Sequence, residues 1–497
     1  MYRGPRFTIS IKIETNKMQE DVLNHDYLKC NRLYNNAVRY VIKQVEQIKR
    51  TKQYKNIIKL LKKVKDKERR ILLYSEIKSL MVKYKITKTD LEKYMKKGNE
   101  KAFNKTISSD VFQTLVKELY MSVESSLFKG TDIKYRKFGE TNTLSSKAAK
   151  RTIIFNKKNH TFKYKGLVFK LKDIRDKDYY AFEALENEII LCKIVRRLIN
   201  TKYAYYLQIT FKGFPPKKVE KGEGRLGIDQ GTSTIAIYSN NLIDFIELAP
   251  KMKEYNKKIV KLQRQIENKR RINNPENYNK DGTIKKGSKF KISNRHKRKI
   301  LELKNAYRRK TDYVKSEHNK IAKLIVSNCD TLIKETLNFK ALQKRSTKPA
   351  EKQDKKSIIK DKKGNTKEIY KFKRKKRYGK SLNNHSPGYL DAQILKRANE
   401  LGINIIMVDM LKYRASQYRH DKDEYIKPKL SDRVKIIDGK KVQRDLYSAF
   451  LLSNYKDVET IDKDKCIKEF DNFIKQQKEL IKTVKDSTGN FGLKNFK

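Results

Sequence analysis

The chain has 497 residues, with 120 Lys and Arg against 57 Asp and Glu, and a formal net charge of +63 at pH 7. So many like charges repel one another unless a polyanion neutralises them. Composition therefore excludes a self-sufficient neutral globule, and the spread of charge along the whole chain points to long contact with phosphate backbones whose affinity falls steeply with salt. Biased codon usage can account for part of the lysine load, but not for the scarcity of acids. Hydrophobic residues make up 37%, enough to core two to four domains. No stretch reads as a membrane span or a cleavable leader, so a cytoplasmic protein without a membrane partner is expected. Cys30, Cys192, Cys329 and Cys466 lie far apart. They form neither a disulfide framework nor a Cys-x-x-Cys zinc knuckle, and are expected as buried thiols.

The opening segment Arg6 to Glu14 alternates in character and predicts a strand. Helical periodicity follows, with Tyr27, Leu28, Leu33, Tyr34, Ala37, Val38, Val41 and Ile42 on one broad apolar stripe. Further helices are predicted around IIKLLKKV, ILLYSEIKSLMVKY and SSDVFQTLVKELYMSVESSLF, with Ser109 a candidate cap for the last. From about Arg151 strands return in RTIIFN, TFKYKGLVFKL and KYAYYLQITFKG, where aromatic and branched residues alternate with lysine. The opening strand finds no partner among the helices and is expected to join this sheet, giving a β-barrel-like domain interrupted by a helical insert. Two prolines and three glycines between Gly213 and Arg225 mark the major boundary.

The second half opens with RLGIDQGTSTIAIYSNNLIDFIEL, read as three short strands on tight turns. Basic helices are predicted over about 250–272 and 294–329, followed by a strand in DTLIKETLNF. From Gln343 to Lys380 the chain holds 17 Lys or Arg and four acids, and is expected to be a solvated loop that orders on nucleic acid. A helix in YLDAQILKRANELG, a strand in INIIMVDM and a last helix of the core near RDLYSAFLLSNY complete the pattern.

Three acids stand out by context. Asp229 interrupts an apolar strand, Glu335 lies in TLIKETL, and Asp445 heads the helix DLYSAFLLSNY. Each has an ordinary alternative as a turn-supporting aspartate, a solvated strand end, or a first-turn carboxylate favoured by the helix dipole. Gathered together they would repel, raising a pKa or recruiting cations. Two Mg²⁺ ions held by such a set could drive phosphodiester hydrolysis.

The second half resembles the RuvC nuclease half of TnpB-type transposon proteins and, closer in design, the miniature type V-F CRISPR effector nucleases. The resemblance lies in GIDQG (227–231), LIKETLNFKAL (332–342), SPGYLDAQILKRANELGINIIMVD (386–409) and QRDLYSAF (443–450), in family order across roughly 222–455. It implies that Asp229, Glu335 and Asp445 are the catalytic, metal-holding triad. Arg433, twelve residues before Asp445, is either a side chain that reaches the scissile phosphate or a plain surface arginine. The family's zinc-binding cysteine pairs are missing here, where the corresponding interval offers only His420. No zinc is expected, and that module would be held by packing or ordered on nucleic acid.

The resemblance implies a multidomain α+β protein, an RNase H-like (RuvC) α/β core with an N-terminal β-barrel wedge domain interrupted by a helical recognition domain. The expected divisions are the wedge over 1–20 and 150–216, the helical domain over 21–149 and a linker over 217–221. They continue with the core over 222–410, a target-nucleic-acid-binding module over 411–441, and the rest of the core over 442–497. The implied activity is Mg²⁺-dependent, RNA-guided cutting of DNA in CRISPR defence, with guide RNA and target DNA as partners. The aromatic-lysine strands suit stacking on unpaired bases or packing on a structured RNA's backbone, with ordinary burial in a strand core as the alternative for each ring. A chain this small cannot easily surround a heteroduplex of roughly 20 base pairs, and the resemblance to the miniature effectors implies a homodimer on one guide RNA; the Tyr34, Val38 and Val41 stripe and the helix VFQTLVKELYMSVESSLF are candidate surfaces, with packing inside the domain as the alternative for each. Competing readings are a TnpB-type transposon-associated nuclease, a nuclease-dead nucleic-acid-binding regulator, and a structural RNA-binding protein.

Overall fold

The computed structural model describes residues 4–483 except 65, 138, 148–150, 173–178, 201, 217–218, 344–351, 361–365, 373–378, 410–413 and 428–431. Two compact units divide the chain, Met1–Pro216 and Lys217–Lys497. No helix among the described residues is long and apolar enough to cross a membrane.

In the first unit β1 (Arg6–Glu14) leads into α1 (Lys17–Arg50), α2 (Lys52–Lys63), α3 (Lys67–Lys83), α4 (Lys88–Phe103) and α5 (Ser109–Lys129). Polar side chains start most of these helices by satisfying first-turn amides. Asn16 and Gln19 close a capping box on α1, and Thr87 and Asp90 close another on α4. Ser109 is not a cap. It is the first residue of α5, and the preceding Ser108 makes no side-chain capping bond. After the helices come β2 (Thr143–Ser145), β3 (Ile154–Asn156), β4 (Thr161–Tyr164), β5 (Leu167–Leu171), α6 (Tyr179–Leu185), β6 (Ile189–Ile199) and β7 (Lys202–Lys212).

The opening strand does find its partners in this sheet, whose order is β2-β6-β7-β1-β5-β4-β3. Arg6 to Lys12 pair with β7, while Ile13 and Glu14 pair with β5, so the sheet curls around β1. The result is a curled half-barrel, the coarser form of the β-barrel-like domain that was expected. Its end strands, β2 and β3, have three residues each and are not paired with one another among the described residues. The strand β2 also draws residues from the stretch expected to be purely helical.

Helices and sheet of this unit share one core. A polar network ties them together. Arg196 bonds Asn24, Asn142 and the Thr141 carbonyl, and its guanidinium lies over the rings of Tyr27 and Tyr203. Asp26 accepts from Tyr164 and Lys165 at 2.8 and 2.7 Å. Two alternatives left open by the sequence are decided here for the residues named, both by packing. Tyr34, Val38 and Val41 on α1 and Val111, Leu115, Leu119 and Val123 on α5 are buried against each other. They are packing residues, not a surface for a second copy. Likewise Phe162, Tyr164, Phe169, Tyr205 and Phe211 are buried and cannot stack on bases.

The second unit is built on β8 (Arg225–Gln230), β9 (Thr234–Ser239) and β10 (Leu242–Glu247), then α7 (Met252–Ile272) and α8 (Asn294–Val326). It continues with β11 (Thr331–Glu335), α9 (Phe339–Leu342), β12 (Lys352–Lys360), β13 (Thr366–Phe372), α10 (Gly379–His385), α11 (Pro387–Leu401) and β14 (Asn404–Val408). The last elements are β15 (Tyr418–Arg419), β16 (Glu424–Tyr425), β17 (Val434–Ile437), β18 (Lys440–Gln443), α12 (Arg444–Ser453) and α13 (Lys463–Thr483). The central sheet runs β10-β9-β8-β11-β14, antiparallel among the first three strands and parallel from β8 through β14.

Alternation along the strands builds two cores, one on each face. Leu226, Ile228, Ile235, Ile237 and Leu332 pack with α8 and α11. Ala236, Tyr238, Ile333 and Val408 face α12 and α13. The basic segment Gln343 to Lys380, expected as a loop, contains the antiparallel ribbon β12–β13. Its flanks lie outside the described residues.

Candidate active site

The period of two along β8 puts Gly227 and Asp229 on the face that receives α12, with Leu226 and Ile228 turned to the other core. A Cβ at Gly227 would sit 2.1 Å from the Ala449 carbonyl oxygen and 2.4 Å from the Ser453 amide. Glycine thus lets the helix backbone lie directly on the strand. Arg225 anchors the far end of the helix by donating to the carbonyls of Ser453 and Tyr455. At the near end Gln443 is the cap, its side chain accepting from the Leu446 amide at 2.6 Å. Asp445 therefore lies in the first turn, where its charge is favoured.

Glu335 ends β11, the parallel neighbour of β8. Lys334 is in register with Ile228, so the next residues, Glu335 and Asp229, stand at corresponding ends of adjacent strands. Alternation turns Glu335 to the same face as Ile333, under α12. The structure thus brings together three carboxylates that lie about a hundred residues apart in sequence. Asp229 is densely enclosed, and its carboxyl is held well above the usual range by burial, then by the charges of Asp445 and Glu335; Arg444 and a hydrogen bond from Ser448 oppose this. Burial raises Glu335 to about 7, with Lys334 pulling the other way.

Two guanidiniums engage Asp445. Arg444 reaches Oδ1 through Nε at 3.1 Å and Nη2 at 3.0 Å, and Arg433 reaches Oδ2 at 3.3 Å. Arg433 is thus next to the cluster, half exposed, and its carbonyl accepts from the Arg444 amide at 2.9 Å. Among the described residues no three His, Cys, Asp or Glu side chains are gathered into a ready metal-binding group. Asp445 is turned to its arginines rather than closed on the other two acids. The donor set nevertheless suits a hard divalent cation. It is all carboxylate oxygen, and a cation would offset both the burial that chiefly raises Asp229 and the repulsion from Asp445 and Glu335 that adds to it. His420 takes no part in a metal site. It is buried, accepts or donates at Nδ1 to the Tyr447 hydroxyl at 2.7 Å, and packs on Phe470.

Several residues here escape sequence reasoning. Lys334 would be read as solvated, yet it is buried and ion-paired with Asp391 of α11, fixing the strand that carries Glu335. Gln230 is buried beside Asp229, and its Nε2 donates to the Pro387 carbonyl at 2.9 Å. Their motifs, LIKETL and SPGYLDAQ, were visible; their pairing was not. Gly227 and Arg444 are the other two, recognisable only once α12 is placed.

The raised Glu335 carboxyl has a measurable consequence. Its folded value of about 7 exceeds the ordinary 4.5, so the folded state holds more protons in that window and stability falls as pH rises through it. His318 and His420, whose values burial lowers from 6.5, act oppositely below that point. The effect is therefore read as a difference. Wild type minus Glu335→Gln melting temperature, in chelator, should become more negative from pH 5 to pH 8, and Mg²⁺ should recover it at pH 8. A difference that does not vary with pH would dismiss the strained carboxylate.

The second unit is an α/β domain, a mixed five-stranded sheet covered by helices on both faces, within a multidomain α+β chain that also has a curled half-barrel sheet. No protein-family model matches the chain, and no curated protein matches it. Among solved structures it is similar to the cryo-EM structure of a Cas12f1–sgRNA–target DNA complex, at 11% identity, covering 90% of this chain and 99% of that one with a TM-score of 0.43. It is also similar to the cryo-EM structure of a CRISPR–Cas12f ternary complex, at 12% identity, covering 89% and 83% with a TM-score of 0.27. Likeness at these values carries no argument, so the reading below rests on topology and site geometry.

Proposed function

We propose that this chain is an RNA-guided DNA endonuclease of CRISPR defence with a single RuvC site, acting in the cytoplasm. The observation that carries the proposal is that Asp229 and Glu335 on one sheet face lie under the first turn of α12, which bears Asp445, and that burial, then the charges of Asp445 and Glu335, raises the Asp229 carboxyl. Asp229, Glu335 and Asp445 would hold two Mg²⁺ ions, which when bound supply an activated water and charge for the departing 3′ oxygen. Arg433 and Arg444 hold Asp445 in place, and Arg433, being half exposed, is the side chain that would meet the scissile phosphate. The net charge of +63 tracks the guide and target backbones. Two copies on one guide RNA belong to the same proposal.

The test is to purify the chain with its RNA, sequence that RNA, and offer DNA matching it. Cleavage should require Mg²⁺ and a match, elemental analysis should find no stoichiometric zinc, and the mass of the complex should correspond to two protein copies. Cutting that is undiminished after complete removal of divalent ions would sink the catalytic assignment. About one tightly held zinc per chain would sink the zinc-free module.

A further inference from the structure

A groove of about 830 Å³ runs along α7 in the second unit. Lys253, Lys257, Lys261 and Arg264 line it, all exposed. Steps of three or four residues keep them on one helix face, and each step of four rises ~6 Å, comparable to one nucleotide of an extended strand. Glu247 is the single acid among the described residues that line it. The groove has an apolar side as well, with Val260 42% exposed within it and Met252 buried beneath.

Between these lie amides. Asn256, Asn268 and Asn384 line the groove. Asn256 is held in place, donating to Asn384 Oδ1 at 3.2 Å and accepting from Lys310 at 3.0 Å. An amide presents donor and acceptor side by side, as the edge of a base requires. In a duplex those edges are paired and only the grooves are open, whereas an unpaired strand offers edges, faces and phosphates together. We propose that this groove binds an unpaired nucleic-acid strand, with phosphates along Lys257, Lys261 and Arg264 and bases turned to the exposed amide of Asn268, to Nδ2 of Asn384 and to Val260. The groove is linked through α10 to the turn that follows the catalytic strand. Asn384 shares α10 with Ser381, whose hydroxyl bonds the carbonyl of Thr232 at 3.3 Å, three residues beyond Asp229. The inference rests on the proposed function for the presence of nucleic acid, and not for cutting.

The experiment uses the full chain with its RNA and Asp229→Ala, carrying the photoreactive residue p-benzoylphenylalanine in place of Val260. The control carries it in place of Val458, which is 47% exposed on another segment. Each is offered a short labelled single-stranded DNA, the same sequence as RNA, and the same sequence as duplex. Val260 should capture a single strand about tenfold better than Val458 does, and better than it captures duplex; Lys257→Glu with Lys261→Glu should lower that capture about tenfold without lowering the melting temperature. The DNA and RNA arms show which strand occupies the groove. Equal capture at both positions, preference for duplex, or cross-linking to protein in place of nucleic acid overturns the inference. Because contact is read without cleavage, its failure leaves the nuclease proposal standing, and an inactive nuclease leaves the groove standing.

Discussion

Asp229→Ala should cut its matched DNA on the order of a thousandfold more slowly or worse, while still binding guide and target. Asp229 lies between the two other acids in the electrostatics of the site, so its removal takes away the carboxylate most enclosed by protein and the one both partners act on. Target binding depends on charge distributed over the chain, and losing one negative group near the phosphates should leave it unchanged or slightly tighter. Glu335→Ala and Asp445→Ala should behave alike. Groups that work as a unit are strongly non-additive, so the triple substitution should be little slower than the worst single one. Binding and cleavage must be measured on one preparation. Normal cleavage would remove Asp229 from the active site, and loss of folding or of guide binding would recast it as structural.

Gly227→Ala should be nearly as damaging by a different route. The added methyl would meet the backbone of Ala449 and Ser453, which no side-chain rotation can move. The expected loss is about 3 kcal/mol of stability, visible as a lowered melting temperature. The surviving fold should have α12 lifted from β8, so Asp445 and Ser448 move off Asp229 and cleavage falls with stability. Gly231→Ala is the control. Its Cβ would come only within 3.3 Å of the Thr234 hydroxyl, which can give way. If the Gly227 and Gly231 variants melt together near wild type, close packing of α12 on β8 is not what positions Asp445.

The sequence was most readable where period and punctuation act locally. The strand at Asp229, its two antiparallel followers, the long basic helices and the head of α12 all lie where alternation, helical stripes and turn residues predict them. The opening strand's place in the first sheet followed from its having no partner nearby. What failed was mostly a matter of partners. An apolar stripe such as Tyr34, Val38 and Val41 reports that a face is covered, and says nothing about whether its own helix α5 or another molecule covers it. Aromatics alternating with lysine on β4, β5 and β7 likewise report a half-buried sheet, and most of the rings went inward while Tyr203 stays exposed. The ribbon β12–β13 was hidden because its sequence is rich in lysine and carries no sustained apolar alternation to read. Lys334 broke the rule from the other side, since its burial depends on Asp391, 57 residues away.

The sandwiching of the central sheet between helices from distant segments also sets an order of events during synthesis. β8 leaves the ribosome about 210 residues before α12 does. At 5–20 residues per second, that is a delay of roughly 10–40 s. Through that interval the side of the sheet bearing Gly227, Ala236, Tyr238 and Ile333 has no permanent cover, while the opposite side can already be closed by α8. The nascent chain should thus spend much of its synthesis as a half-built sheet, inviting chaperone capture and unable to cut anything. The three carboxylates can be assembled only once α12, and α13 after it, has been made and docks on that face.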